Sequence, residues 1–343
     1  MIPELKYFIL KNWDKCFHGP LKLKEIAILQ RTSTWLDEKG KVVFLIFGDD
    51  DSAPFLIAKI VRNERYNESI RKEFENLSYV WNQASDDLRT NLPKPLKLVT
   101  IAGKLVYFEE AVPGRSLPFL WASLPFWAKR RVISQSMEKL SDWLWNFYSS
   151  IGIQQKQLTV EDVKRLFLVP LCTYEHKHIL GSVEKEFLSK FEDSTASLVG
   201  TTLPLTGCHG DFWGGSILVD EGKTKVIDWE FFRMPRLPLY DLFTLAIHPG
   251  FSFGKVYRST LFYEFKGCFH KNWFIDLLKV TMNRLSQRLN LDASILKLLF
   301  IMVLIQSSNE RDSTENKLEV GNQWRTFLRF YIQHENECYL LNF

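Results

Sequence analysis

The sequence predicts an α+β protein of two lobes, an antiparallel sheet with one helix followed by a mainly helical second half. Three observations predict it. Short β-branched and aromatic runs separated by turn residues fill positions 25–109. A helical period takes over beyond Pro113-Gly114. The 343 residues exceed one ordinary hydrophobic core and fit two. With 46% hydrophobic and 24% charged residues, the composition is that of a folded chain, neither disordered nor fibrous.

The runs at 25–31 (EIAILQR), 41–47 (KVVFLIF) and 54–61 (PFLIAKIV) read as three antiparallel strands, because the DEKG and GDDDSA between them are turn chemistry. From Ser69 the pattern changes. Ile70, Phe74, Leu77 and Trp81 recur on one helical face, with Arg71, Lys72, Glu73 and Glu75 around it. LKLVTI and KLVYFE then flank Ala102-Gly103 and read as a hairpin that completes a five-stranded sheet. Residues 1–108 are expected to form the first lobe and 109–343 the second, with a hinge at about 109–114. In the second lobe Val132, Ile133, Met137, Leu140, Leu144 and Phe147 line one side of a helix over 127–149. Further helices are expected at 159–176, opened by a cap from Thr159 toward Asp162, at 183–198, and in several segments from about 257 to 340.

The formal charge of +4 is too small on so large a surface to steer polyanions, so no nucleic-acid partner is expected. Cys16, Cys172, Cys208, Cys268 and Cys338 are far apart and odd in number, without a CxxC pair or a histidine at zinc-ligand spacing, and read as reduced thiols. His176 and His178 in EHKHI lack such partners too and read as surface residues. Glu4 and Lys6 interrupt the apolar residues at the start, unlike a secretion signal. The longest apolar run, Leu298 to Ile305, is far shorter than the roughly 20 residues of a membrane span. The expectation is a cytoplasmic monomer or homodimer with no membrane partner.

The chemistry concentrates in residues 208–242, CHGDFWGGSILVDEGKTKVIDWEFFRMPRLPLYDL. Residues 216–219 and 225–228 are strand-like around the turn material of Asp220 to Lys223, so the segment is expected to fold back as a hairpin. With its centre near Gly222, Ser216 falls opposite Asp228, and Asp211 lies on the loop feeding the first strand. Two carboxylates and a hydroxyl would converge. Phosphoryl transfer requires such a set, one carboxylate to orient the attacking hydroxyl and accept its proton, and oxygen ligands to hold Mg²⁺ against the phosphates. Asp211 is assigned as the base and Asp228 as a metal ligand.

HGDFWGGSIL followed by VIDWE resembles the aminoglycoside phosphotransferase family, which includes choline and homoserine kinases and has the protein-kinase fold. The resemblance extends over about residues 20–250. It implies a nucleotide co-substrate, ATP or GTP, with Mg²⁺, and a small-molecule hydroxyl acceptor such as a sugar, an amino alcohol or an antibiotic-like compound. It places Lys59 of FLIAKI on the α and β phosphates, paired with Glu73 of RKEFENL, or failing that Glu75. It makes FEEAVPGRSL the hinge, with backbone groups of Glu110 to Val112 toward the adenine edge. Asp241 of PLYDL would cap and brace the catalytic loop; His209 reads either as a support for that loop or as a core histidine.

The sequence departs from the family pattern at two places. Ser216 stands where the family has asparagine as second metal ligand, and its shorter hydroxyl should loosen the metal site. The turn LQRTSTWLDEKG has no glycine among Arg31 to Trp35, so backbone amides and the hydroxyls of Ser33 and Thr34 would contact the phosphates. Without the resemblance, Lys59 reads equally as a strand lysine reaching solvent and Glu73 as a solvated helix residue; Glu230 reads as an exposed strand end or a group leaning toward the metal. Ser216 also motivates the rival expectation, a catalytically weak pseudokinase that binds nucleotide or metabolite as a regulatory module. A protein kinase is disfavoured, since the hairpin runs almost directly into PLYDL and leaves little room for a peptide platform.

Overall fold

The computed structural model describes residues 1–17, 25–32, 40–48, 51–250, 260–311 and 323–342. They form two units, Met1–Ser116 with Ser216–Arg233, and Leu117–Gly215 with Met234–Phe343. The first unit thus takes in the 216–233 segment, which the sequence reading places in the second lobe. Backbone pairing is the reason: the short strand Arg115–Ser116 is antiparallel to Leu218 and Val219, and Val226 N–H donates to the Asn91 carbonyl at 3.2 Å.

The expected sheet is present, with strands β1 (Ala27–Thr32), β2 (Lys41–Phe47), β3 (Leu56–Val61), β4 (Pro95–Ile101) and β5 (Lys104–Glu110), in the order β1-β2-β3-β5-β4 and antiparallel throughout. Ala102 and Gly103 turn the β4–β5 hairpin with φ of +48° and +81°, both in the left-handed region that a two-residue turn of this twist requires. Strand alternation gives the sheet two characters. Val42, Phe44 and Ile46 of β2, Leu56, Ala58 and Ile60 of β3, and Val106 and Phe108 of β5 form one buried face. Helix α1 (Ile2–Asn12) covers it through Leu5 and Ile9, both fully buried at the four-residue spacing of one helical stripe. This helix was not among the expected elements.

The register sets Lys59 opposite both Val43 and Tyr107, and Ile57 opposite Glu109. Lys59, Tyr107 and Glu109 therefore share the other face, against which helix α2 (Asn67–Gln83) packs. Its buried stripe is Ile70, Glu73, Leu77 and Val80, so a glutamate stands among the core positions.

In the second unit, helix Phe126–Ile151 buries Ile133, Met137, Leu140, Leu144 and Phe147 of the predicted stripe, while Val132 is only half-buried. The cap at Thr159 forms as a reciprocal box, with Asp162 N–H donating to the Thr159 hydroxyl and Thr159 N–H to the Asp162 carboxylate, both at 3.2 Å. Helix Leu296–Arg311 is the centre of this core; Leu299 through Ile305 are each no more than 2% exposed. The apolar stretch around it is longer than expected. Ala293–Glu310 is long and apolar enough to cross a membrane, yet 61% of it is buried inside the fold. A helix enclosed on all sides needs no polar face, which accounts for its unbroken apolarity.

Candidate functional site

In the first unit the site is built around Lys59, whose side chain is 4% exposed. Its ammonium lies 2.6 Å from Glu73 Oε1, 2.8 Å from Glu109 Oε1 and 3.0 Å from Asp228 Oδ1, one carboxylate for each N–H. Burial by itself would lower the lysine pKa, but Glu109, Glu73 and Asp228 outweigh it and hold the group charged well above its ordinary range. Glu73 is fully buried and its second oxygen meets Lys41 Nζ at 2.5 Å. Burial opposes its ionisation, yet Lys41 and Lys59 keep the carboxyl below its usual pKa. Glu75, the alternative partner, is exposed on α2.

Two further groups that sequence reasoning missed belong to this cluster. Glu109 is buried and accepts from the Tyr107 hydroxyl at 2.6 Å; burial pushes its carboxyl up in spite of Lys59. Lys41 bridges Glu73 and Glu230, and burial likewise raises Glu230. The signal was present in the alternation: Lys41 lies two residues from Val43, which pairs with Lys59, and Glu109 lies two residues from Tyr107, which also pairs with it.

The hairpin comprises Ile217–Asp220 and Lys223–Val226. Its turn is Glu221-Gly222, with φ of +46° and +76°, and its ladder pairs Asp220 with Lys223 and Ile217 with Val226. Ile227 N–H then donates to the Ser216 carbonyl at 3.0 Å, so Ser216 stands opposite Ile227 and not opposite Asp228 as expected. The centre lies between the two turn residues, and the difference of one position matters because strand side chains alternate. Asp228 leaves the ladder at φ +66° and ψ +66°, a left-handed conformation that aspartate tolerates better than most residues. Asn76 of α2 fixes the segment beyond it, donating to the carbonyls of Trp229 at 3.0 Å and Glu230 at 3.1 Å.

Whether this set fits Mg²⁺ is decided by two observations. The Ser216 side chain is 1% exposed and its Oγ has no hydrogen-bond partner among the described residues. A buried hydroxyl without a partner costs about 1–3 kcal/mol, which a cation would offset. Asp228 spends Oδ1 on Lys59 and its side chain remains 46% exposed. Fully ionised, the cluster sets the carboxylates of Glu73, Glu109, Asp228 and Glu230 against Lys41 and Lys59, an excess of two negative charges. The excess of negative charge around the half-exposed Asp228 suits a divalent, oxygen-seeking ion, and the buried Ser216 hydroxyl is a second oxygen on the same segment.

At the predicted hinge, Glu110 N–H donates to the Lys94 carbonyl at 2.9 Å and Ala111 N–H to that of Phe55 at 3.0 Å. Both are thus used within the sheet, whereas Val112 N–H has no intramolecular partner among the described residues. Ser33 and Thr34 lie outside the described residues.

The second unit carries the predicted catalytic loop, which follows strand Thr202–Cys208. Asp241, fully buried in the first turn of helix Tyr240–Ile247, accepts from His209 N–H at 2.9 Å, Gly210 N–H at 3.0 Å and Cys208 Sγ at 3.3 Å. Burial raises its carboxyl pKa, and His209 with the backbone donors opposes that rise. The bracing role that the sequence assigns to Asp241 thus corresponds to three contacts. His209 is fully buried, and its Nδ1 accepts from Asp211 N–H at 3.3 Å. The ring of Phe212 stacks on Trp143, with centroids 5.6 Å apart. Trp213 stacks on His248 at 4.5 Å. A Cβ on Gly214 would lie 2.3 Å from the Pro249 carbonyl oxygen, so the chain passes there only as glycine. Asp211 is therefore held from both sides by immobilised neighbours.

A five-stranded sheet with a buried lysine–glutamate pair, followed by a helical unit bearing an aspartate loop, is the kinase-like fold. Residues 170–264 match the family model described as the phosphotransferase enzyme family. Among solved structures, the GDP complex of wild-type aminoglycoside 2'-phosphotransferase-IIIa superposes with a TM-score of 0.55 at 14% identity, covering 99% of each chain. The apo form of a thermostable mutant of aminoglycoside phosphotransferase APH(4)-Ia gives 0.53 at 11% identity, covering 98% of this chain and 97% of that one. No curated protein matches the sequence. The resemblance read from HGDFWGGSIL and VIDWE is borne out by the family model and by the fold.

Proposed function

We propose that the protein transfers the terminal phosphate of ATP or GTP to a hydroxyl of a small molecule. The observation that carries this reading is the buried Lys59, held in place by Glu73 and Asp228 across 14 and 169 residues of sequence. Lys59 contacts the α and β phosphates, Glu73 and Glu109 orient it, and Val112 N–H meets the nucleobase edge. Asp228, with Ser216 on the same segment, would hold Mg²⁺, which would neutralise charge on the phosphate oxygens. Asp211 orients the acceptor hydroxyl and accepts its proton as the new O–P bond forms and the β–γ bridging bond breaks, releasing the nucleoside diphosphate. Asp241 positions that loop through the His209 and Gly210 amides.

Ser216 favours a second reading, a catalytically weak nucleotide-binding module, because a serine supplies a shorter arm than the family's asparagine. The two are separated by incubating the chain with ATP or GTP, Mg²⁺ and a panel of alcohols. Phosphorylated product that disappears in Asp211→Asn is expected. Tight nucleotide binding without turnover on any acceptor would favour the module.

A further inference from the structure

We propose that the acceptor is an alcohol with an apolar body, bound in a cavity of the second unit, and not a polyhydroxylated ring or a polyamine. The identity of the bound molecule as acceptor rests on the phosphotransferase reading; its chemical class rests on the cavity alone.

The cavity has a volume of about 490 Å³. At the ~30 Å³ that a water occupies in the liquid, it holds about sixteen methylene-sized groups. Its walls include Pro118, Trp121, Ile133, Pro249, Phe274 and Ile275, all buried apolar side chains. Trp273 lines it too and remains 36% exposed, an aromatic surface open to a ligand. Such walls reward apolar area and offer few hydrogen bonds.

Two of the polar lining residues are engaged within the protein. Asn272 accepts from Phe274 N–H and Ile275 N–H at 3.1 and 3.0 Å, and donates through Nδ2 to the carbonyls of Gly267 and His270. Glu264 accepts from Gly250 N–H at 3.1 Å. Lys129 and Glu264 carry opposite charges, so the cavity offers a polycation no net attraction. A sugar or polyamine would bring more donors and acceptors than Lys129 and the Tyr263 hydroxyl can match, each unmatched one costing roughly tenfold or more in affinity.

The cavity also shares its wall with the catalytic loop. A Cβ on Gly214 would lie 3.1 Å from Pro118 Cγ and 2.3 Å from the Pro249 carbonyl oxygen. Both prolines line the cavity, and Gly214 follows Asp211 closely in the HGDFWGG loop. An alcohol seated there is separated by Pro118 and Pro249 from the loop that carries the proposed base.

The test is calorimetric titration of the full chain, without nucleotide, with butan-1-ol, hexan-1-ol, octan-1-ol and a hexosamine. The dissociation constant is expected to fall roughly fourfold for each added methylene. Octanol is expected to bind about tenfold more weakly to Ala122→Trp, which narrows the cavity, and to Trp273→Ala, which removes an aromatic wall. Affinity indifferent to chain length, octanol binding unchanged by both substitutions, or tighter binding of the hexosamine overturns the proposal. Phosphoryl transfer is then assayed with the same compounds. Chain-length-dependent binding with no phosphorylated alcohol upholds the cavity's ligand class and counts against the phosphotransferase reading. Hexosamine phosphate formed with no gain from an alkyl tail does the reverse.

Discussion

Replacing Glu73 with glutamine tests the lysine-centred cluster most directly. The wild-type carboxylate is fully buried and serves two ammonium groups, Lys59 at 2.6 Å and Lys41 at 2.5 Å. Glutamine keeps the shape and one oxygen but turns an amide N–H₂ toward one lysine. Breaking a buried pair by removing one partner costs about 3–5 kcal/mol; the amide oxygen recovers part of that, so about 3 kcal/mol is expected. Urea unfolding at pH 7, followed by tryptophan fluorescence, reads it. The pH dependence supplies a second check. Lys41 and Lys59 hold the folded-state pKa of Glu73 below its ordinary 4.5. A depressed carboxyl contributes its stability above the unfolded pKa and loses it as pH falls through the folded value. The gap between wild type and Glu73→Gln should therefore be complete above pH 4.5 and close below it. Glu75→Gln, on the exposed side of the same helix, should change stability by less than about 0.5 kcal/mol. A Glu73→Gln loss no larger than that of Glu75→Gln would refute the reasoning.

Ser216→Ala should leave stability unchanged or raise it by about 1 kcal/mol, because it removes a buried hydroxyl without a partner among the described residues, while raising the Mg²⁺ concentration needed for half-maximal turnover. Ser216→Asn should lower that concentration if the site is a weakened form of the family's; thermal unfolding and Mg²⁺ titration of the rate measure the two effects. Asp241→Asn keeps the side chain's shape but removes one acceptor from the Cys208, His209 and Gly210 donors. Steady-state kinetics should give a kcat reduced at least tenfold with the KM for nucleotide little changed, since the loop, not the Lys59 cluster, is disturbed.

Much of the architecture was legible because its determinants are local. The five strands follow from alternation and turn residues, the β4–β5 hairpin from Ala102-Gly103, and the 217–226 hairpin from Asp220 to Lys223. Helix α1 is less legible, because Glu4 and Lys6 break its apolar run and only Leu5 and Ile9 carry the stripe that buries it. The hairpin register differs by one position from the expected one because the sequence locates a turn without stating which two residues form it.

By itself, the sequence determined where the residues proposed for phosphoryl transfer lie along the chain: the loop aspartate at 211, the aspartate at 228 that follows a hairpin, and a lysine inside a buried strand. Only the tertiary structure decided the company Lys59 keeps. Glu73 and Asp228 reach it from a helix and a hairpin distant in sequence, and Glu109 from a neighbouring strand. Nothing local distinguishes Glu73 from Glu75, since either could be a solvated helix residue. Packing of α2 against the sheet turns one of them into the core, where desolvation makes an unpaired charge costly and so enforces the pairing with lysine.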